Sequence, residues 1–176
     1  MIDGKHLFDI AKDPSQSRDV SGQNLEVVER LRSRYESWWA EVSPRMKPVR
    51  IHMRNPAENP TLLNTQDWYM PVGNPPLKFN KLPKVTGPWM LHVERAGRYE
   101  VSLCQWPLEA ERTIVAETAR VKFAGVEAAK AVKEGAISVS FELEFPEGDT
   151  TLETHLTDAA GETGGAYCTY VEYLGE

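Results

Sequence analysis

Three stretches in the second half of the chain alternate apolar and polar residues with a period of two. They cover residues 89–94, 99–104 and 137–145. Because successive side chains of a β-strand point to opposite faces, each stretch has one face suited to a core and one suited to water. Alternating strands at short spacing, separated by Gly-containing turns, predict an antiparallel β-sandwich or jelly-roll-like domain over residues 89–176.

The turns between these stretches predict how the strands follow one another. Ala96-Gly97-Arg98 is expected to join the first two stretches as a hairpin with one face in water. Pro146 to Asp149, with the sequence PEGD, is expected to turn the chain into a further strand over 152–156, and 166–174 reads as the last strand. The face shared by Trp89, Leu91 and Val93 is assigned to the core.

The first part of the chain has a different period. Apolar residues between 25 and 42 recur at helical spacing, which predicts one amphipathic α-helix with Asn24 at its N-cap and Ser43-Pro44 at its end. Residues 7–10 read as a short strand, followed by an Asp-Pro turn. The fold class is therefore mainly β with one N-terminal α-helix, and residues 1–44 form a strand-turn-helix segment.

Residues 45–88 are rich in proline and asparagine. Proline lacks the backbone donor that helices and central strands need, so this segment is predicted to be a crossing loop between residues 1–44 and the sandwich. Residues 50–53 and 64–69 are its candidate edge strands.

Composition excludes several classes of protein. The net charge of −6 argues against nucleic-acid binding, which relies on Lys and Arg, and no apolar run reaches the length of a membrane helix. The first residues do not have the pattern of a secretory signal. Only Cys104 and Cys168 are present, each in a predicted strand, and two buried thiols are expected rather than a disulfide framework.

Two parts of the chain resemble the sulfatase family. DGKHLFDIAKDPSQSRDVSGQNLEVVERLRSRYESWWAEV, residues 3–42, resembles the last strand and helix of the sulfatase catalytic fold. QDWY, GPWMLHVERAGRYEVSLCQWPLEAE, ARVKFAGVEAAKAV and FPEGDTTLETHLTDAAGETGGAYCTYVEYL resemble the β-rich tail of bacterial arylsulfatase-like enzymes. The resemblance covers nearly the whole chain and implies the C-terminal part of a sulfuric ester hydrolase with a structural or substrate-rim role.

The resemblance also implies what the chain does not carry. Sulfatases use a formylglycine made from a Cys/Ser-x-Pro/Ala-x-Arg motif, beside a calcium ion. Cys104 stands in CQWPL, where Pro107 is one place too far, and Cys168 stands in CTYVE. No catalytic residue is therefore expected here, and calcium and formylglycine are expected only in a catalytic part outside this sequence. The implied partner is a sulfatase catalytic domain in cis, parent enzymes are often periplasmic or secreted, and the isolated chain is expected to self-associate.

The histidines do not predict a metal site. His6, His52, His92 and His155 are scattered along the chain, with no neighbouring pair at ligand spacing. A lone histidine on the polar face of a strand is usually solvated, so no metal ligand is predicted.

A free-standing carbohydrate-binding β-sandwich is the alternative interpretation, with sulfated glycan as one possible ligand. Aromatic side chains can serve as platforms for sugar rings, and Trp68, Tyr69 and Trp106 are the candidate substrate-binding residues. Trp68 and Tyr69 lie in the Pro-rich segment, and loops of this kind often carry binding residues.

A third hypothesis is a glycosidase-like pair of acids. Glu109 with Glu111, or Glu142 with Glu144, would share a face if each pair lay on one strand, at a separation near that of catalytic carboxylates. Acidic residues also decorate the wet face of many strands, which makes this the weakest of the three hypotheses.

Overall fold

The computed structural model describes residues 5–53, 57–69 and 85–175. It divides into two compact units, Met1–Lys47 and Pro48–Glu176, which are called the N-terminal unit and the sandwich unit below. Residues 70–84, the centre of the predicted crossing loop, lie outside the described residues.

The N-terminal unit contains helix α1, Leu25–Val42, as predicted. Asn24 occupies the N-cap position, but its side chain donates to the Val20 carbonyl instead of capping the helix. Residues 7–10 do not form the predicted strand. The backbone there is instead tied to a turn, because Asp19 accepts from the Leu7 N–H and the Val20 N–H donates to the Leu7 carbonyl.

The described residues of the sandwich unit form ten strands in two sheets. The strands are β1 (Ile51–Met53), β2 (Thr61–Asn64), β3 (Trp89–Val93), β4 (Gly97–Cys104), β5 (Thr118–Phe123), β6 (Val126–Ala131), β7 (Val139–Phe145), β8 (Gly148–Thr157), β9 (Thr163–Gly164) and β10 (Cys168–Gly175). One sheet has the order β1-β3-β8-β5-β6, with β9 beside β8, and the other has the order β2-β10-β4-β7. All pairings are antiparallel except that of β1 with β3. The predicted mainly β sandwich with one helix is confirmed.

The core lies between the two sheets and is built from the alternating positions. Trp89, Tyr99 and Phe145 are at most 1% exposed. Phe123 of one sheet stacks on Phe145 of the other with ring centroids 3.7 Å apart, and the Trp89 indole N–H donates to the Asn64 carbonyl. Burying such rings provides a large share of the hydrophobic stabilisation of a sandwich.

The hairpin predicted from β3 and β4 is wrong, although its two strands are correct, whereas the turn predicted after β7 does lead into a further strand, β8. β3 and β4 belong to different sheets, as do β7 and β8, so the turns at 94–96 and 146–147 cross from one sheet to the other. Such a corner lets both apolar faces meet across the core, whereas a flat hairpin would point them in the same direction. The tight corner after β3 requires Gly97, because a Cβ there would lie 2.5 Å from the Gly175 carbonyl oxygen.

A hairpin that the structure forms from β5 and β6 was not predicted from the sequence. Its two turn residues, Ala124 and Gly125, have φ values of 46° and 81°. Positive φ at both positions is typical of the turn that matches the twist of a two-residue hairpin. β6 is largely exposed and rich in alanine, so it lacks the alternation that reveals a half-buried strand.

The segment before residue 89 contributes two strands at sheet edges. β1 confirms the edge strand predicted near 50–53. The strand predicted over 64–69 is wrong, because β2 ends at Asn64, the first residue of this range, and Thr65–Asp67 forms a short 3-10 helix. The Asn64 side chain accepts from the Gln66 N–H at this helix start.

Candidate functional site

One end of the sandwich gathers the loops that contain the predicted ligand-binding residues. Asn64, Cys168 and Cys104 are direct neighbours across β2, β10 and β4. The segments 65–69 and 105–117 therefore leave the sheet from the same end at which 158–167 enters it. These three segments are called the loop end.

Trp68 lies in the core at this end. Its side chain is 5% exposed, and its ring centroid is 5.7 Å from that of Trp89. A Cβ on Gly165 would lie 2.3 Å from a Trp68 ring carbon, so the glycine is needed for the ring to fit. The prediction of a binding platform at Trp68 does not agree with this position, because a buried ring has no face to offer a ligand.

Tyr69 differs from its neighbour in exposure. Its side chain is 55% exposed, and its backbone N–H donates to the Pro88 carbonyl at 2.8 Å. The hydrogen bond fixes the backbone while the ring remains accessible to a ligand.

Trp106 lies immediately after β4 and is half-buried. The Arg112 guanidinium lies 3.8 Å from the centroid of its ring, a cation–π distance. The neighbouring Gln105 is fully buried, and its Oε1 accepts from the Val115 N–H at 2.7 Å. This bond joins the two arms of the loop, so Trp106 and Arg112 project from a braced framework.

Glu109 is held beside this pair by a tyrosine. The Tyr170 hydroxyl accepts from the Leu108 N–H at 3.2 Å and donates to Glu109 Oε2 at 3.3 Å. Burial, followed by the nearby Glu109 charge, raises the pKa of Tyr170, which therefore stays protonated as a donor. A carboxylate held in this way can accept hydrogen bonds from a ligand with its remaining lone pairs.

A shallow groove of about 440 Å³ lies on the same end. It is lined by Ile114 to Glu117 on one side and by Asp158, Ala159 and Ala160 on the other. Asp158 is committed to its own turn, because its Oδ1 accepts from the N–H groups of Ala160 and Glu162. The groove therefore combines an apolar floor with carboxylate oxygens at its rim.

One of the two candidate acid pairs does not lie on a strand as predicted. The other pair does lie on a strand, but on its open outer face. Glu109 belongs to the 3-10 helix Leu108–Ala110, and Glu111 has a φ of 48°, so these two residues share no strand. Glu142 and Glu144 do lie on β7, where both are exposed. The open outer face of a sheet does not exclude water from a reaction, which makes this pair a poor catalytic centre.

The two cysteines are free and buried, as predicted. They are opposite each other on β4 and β10, and they pack with Tyr167 under Leu108. Burial raises the pKa of Cys104 to about 12 and also raises the pKa of Cys168. Thiols that remain protonated at neutral pH are weak nucleophiles.

The structure corrects the prediction that the histidines are scattered. His52 on β1 and His92 on β3 are Cα partners, and their ring centroids are 5.0 Å apart. Together with Glu94 they offer ligand atoms that all lie within 4.8 Å of one another. The sequence contains no signal for this cluster, because the residues meet only through the register of two strands 40 positions apart.

Each histidine in the cluster is paired with a carboxylate. His52 Nδ1 lies 2.5 Å from Glu94 Oε1, and His92 Nδ1 lies 2.7 Å from Asp149 Oδ1. These hydrogen bonds are the main cause of a lowered pKa for both Glu94 and Asp149. Both carboxyl groups are therefore ionised at neutral pH.

Comparisons with known proteins do not identify a family for this chain. No protein-family model matches the sequence. A search of curated proteins gives no match either. In the described part of the chain, no helix is long and apolar enough to cross a membrane.

Several solved structures are weakly similar to this chain. A ruminal GH26 endo-beta-1,4-mannanase is 10% identical, with 66% of this chain and 26% of that chain covered and a TM-score of 0.43. An alpha-L-fucosidase from Vibrio sp. strain EJY3 is 19% identical, covering 70% of this chain and 24% of that chain, with a TM-score of 0.43. A CBM35 from Cellvibrio japonicus Abf62 is 11% identical, covering 64% and 82%, with a TM-score of 0.36. This chain spans about a quarter of the two enzymes, and scores this low carry no functional argument.

Proposed function

We propose that the sandwich unit is a non-catalytic carbohydrate-binding module whose ligand surface is the loop end. The observation that carries this proposal is the presence, at one end of the sandwich, of accessible aromatic rings beside fixed polar groups. Tyr69 is exposed, Trp106 is stacked with Arg112, and Glu109 is held by Tyr170.

The chemistry of these groups suits a sugar. A pyranose ring has an apolar C–H face that packs on an aromatic ring, and an edge of hydroxyl groups that hydrogen-bonds to charged side chains. Glu109 accepts hydrogen bonds and Arg112 donates them, so the pair complements hydroxyl groups, each of which both donates and accepts. Because Arg112 covers one face of Trp106, a sugar would contact the edge or the opposite face of the indole.

The position of the candidate acids and thiols supports binding without catalysis. The cysteines are buried with raised pKa values, and Glu142 and Glu144 lie on an open sheet face. The names of the structural likenesses include carbohydrate-binding modules, which agrees with the proposal but adds no weight at those TM-scores.

The proposal is tested by titrating the full chain with neutral, uronic-acid and sulfated oligosaccharides while following tryptophan emission and heat. We expect a Kd of about 0.1–1 mM for at least one class, a range that corresponds to about 4–5.5 kcal/mol. Tyr69→Ala and Trp106→Ala are each expected to weaken binding about ten-fold, as loss of a contact worth about 1.4 kcal/mol would.

Tyr35→Ala provides a matched control for the aromatic substitutions. Tyr35 is 54% exposed, nearly the same as Tyr69, but it lies on helix α1. Its removal should leave the affinity unchanged. No binding by any class, or equal losses in Tyr35→Ala and Tyr69→Ala, would exclude the loop end as the ligand surface.

A second candidate function follows the sulfatase resemblance, and we propose it because of the exposed face of α1. Leu25, Tyr35, Trp38 and Trp39 are between 42% and 70% exposed, which is what an interface without its partner would present. Under this proposal the face packs on a sulfatase catalytic domain, and the isolated chain self-associates. Monomeric light scattering without binding of a hydrophobic dye would count against it.

A further inference from the structure

The outer face of the five-strand path β1-β3-β8-β5-β6 carries a row of imidazole and carboxylate groups at one edge. β1 pairs in parallel with β3, which places His52 beside His92, and β3 pairs with β8, which places His92 beside Asp149. Glu94 follows β3 two residues after His92, and its Oε1 lies 2.5 Å from His52 Nδ1. The row therefore combines residues from three different strands.

The surroundings fix His92 in an orientation suited to binding a metal. Asp149 Oδ1 pairs with His92 Nδ1 at 2.7 Å, and Asp149 Oδ2 pairs with Arg50 Nε at 2.8 Å. Arg50 also donates through Nη1 to the carbonyl oxygens of Leu91 and Thr150, both at 3.2 Å. A carboxylate that binds Nδ1–H leaves the lone pair on Nε2, the arrangement common among metal-binding histidines.

We propose that His52, His92 and Glu94 bind one divalent transition-metal ion. One atom from each of the three side chains lies within 4.8 Å of the others. A zinc ion with ligands at about 2.0–2.2 Å needs these atoms about 3.3–3.5 Å apart, so small side-chain rotations are sufficient. All three side chains are at least 35% exposed, which leaves room for these rotations and for water to complete the coordination.

The ion takes the place of the hydrogen bond between His52 and Glu94. A neutral His52 then carries its ring hydrogen on Nε2, which leaves the Nδ1 lone pair and the carboxylate oxygen of Glu94 as ligands. Two imidazoles and one carboxylate favour Zn²⁺, Ni²⁺ or Cu²⁺ over Ca²⁺ and Mg²⁺, which prefer ligand sets made of oxygen alone.

The chain contains a matched comparison for this cluster. His6 Nδ1 pairs with Asp19 Oδ2 at 2.8 Å in the N-terminal unit, and both side chains are exposed. Among the described residues, His52, His92 and Glu94 form the group in which a third metal ligand lies within reach of a histidine-carboxylate pair. The effect of a His6 substitution on zinc binding therefore shows how much an exposed histidine-carboxylate pair contributes when no second imidazole is within reach.

The test uses the full chain without an affinity tag, titrated with Zn²⁺ by calorimetry at constant pH. We expect one ion per chain with a Kd of about 10 µM or tighter. His52→Ala and His92→Ala should each weaken zinc binding about ten-fold or more, since loss of even an outer-shell partner typically costs about 10–100-fold. His6→Ala should bind as the unchanged chain does, and Ca²⁺ in excess should not compete.

A wild-type Kd weaker than about 10 µM, or a loss below about ten-fold in either cluster variant, would overturn the proposal. An equal loss in His6→Ala would do the same. A second readout separates loss of a ligand from loss of folding: with Zn²⁺ added, the ring proton signals of His52 and His92 should shift while those of His6 and His155 stay in place. Shifts at all four histidines would contradict a specific site.

Discussion

The N-terminal unit and the sandwich unit both carry a stripe of large apolar side chains, but they differ in what covers it. On α1, Leu25, Tyr35 and Trp38 are 70%, 54% and 52% exposed. In the sandwich, Trp89 and Tyr99 are fully buried. The period of a sequence pattern predicts the type of element, whereas burial depends on a second apolar face that the pattern does not identify.

This difference has an energetic consequence that can be measured. The three rings of α1, those of Tyr35, Trp38 and Trp39, lie 5.7–6.3 Å from one another and are half in water. In the sandwich, Phe145 contacts Phe123 at 3.7 Å and Tyr99 at 4.6 Å between ring centroids, with no access to water on either side. Substitutions of equal size should therefore have unequal effects in the two units.

The largest effect is expected from Phe145→Ala. The ring is 1% exposed and stacks with rings of both sheets, so its removal leaves a cavity in the core. The free energy of unfolding should fall by about 3–5 kcal/mol. Urea denaturation followed by circular dichroism in the far ultraviolet measures this loss, and a fall below about 1 kcal/mol would contradict the core assignment.

Gly165→Ala should have the next largest effect. Its Cβ would lie 2.3 Å from the Trp68 ring, so the indole has to move, at a cost of about 1–3 kcal/mol. Gly22→Ala in the N-terminal unit is the matched control, because a Cβ there meets nothing within 4 Å. Equal midpoints of urea unfolding for the two variants would show that Trp68 is less tightly packed than the structure indicates.

A smaller effect is expected from pH through His155. Burial, then the nearby Arg120, lowers the pKa of this histidine below 6.5, so the unfolded chain binds a proton more readily than the folded chain. The contribution of neutral His155 to the free energy of unfolding is therefore fully present above pH 6.5 and is lost as the pH falls below that value. His155→Gln removes this contribution, and its urea midpoint should change less between pH 8 and about pH 5 than that of the unchanged chain. An equal pH dependence in both proteins would mean that His155 does not contribute.

The smallest effect is expected from Trp38→Ala. The side chain is 52% exposed on α1, and the loss of ring contacts with Tyr35 and Trp39 should change stability by no more than about 0.5 kcal/mol. Thermal unfolding of the full chain measures the change. A loss comparable to that of Phe145→Ala would show that the face of α1 is covered in solution, for example by a second copy of the chain.

The elements that could be predicted from the sequence are those defined by a local period. The helix over Leu25–Val42 and the strands around Trp89 and Tyr99 follow from spacing alone, because each buried side chain occupies a regular position. The strand proposed over 7–10 is too short for its alternation to be meaningful. The turn held by Asp19 replaces it.

The pairing of strands could not be predicted, because it depends on partners far apart in sequence. β1 and β3 meet in parallel across 40 positions, and this register alone creates the cluster of His52 and His92. The same limit applies to Trp68 and Tyr69, adjacent residues of which one is buried and the other exposed. No local pattern distinguishes them, since the space for the indole is provided by Gly165.

The most direct test of the carbohydrate-binding proposal follows the indole N–H signals of the isotope-labelled full chain during titration with the oligosaccharide panel. The proposal predicts that the Trp106 signal moves with ligand concentration while those of Trp38 and Trp39 remain in place. Those two indoles are more accessible than that of Trp106, at 52% and 42% exposure, but they lie on α1 and not at the loop end. Movement of the α1 signals without any change at Trp106, or no movement at all, would contradict it.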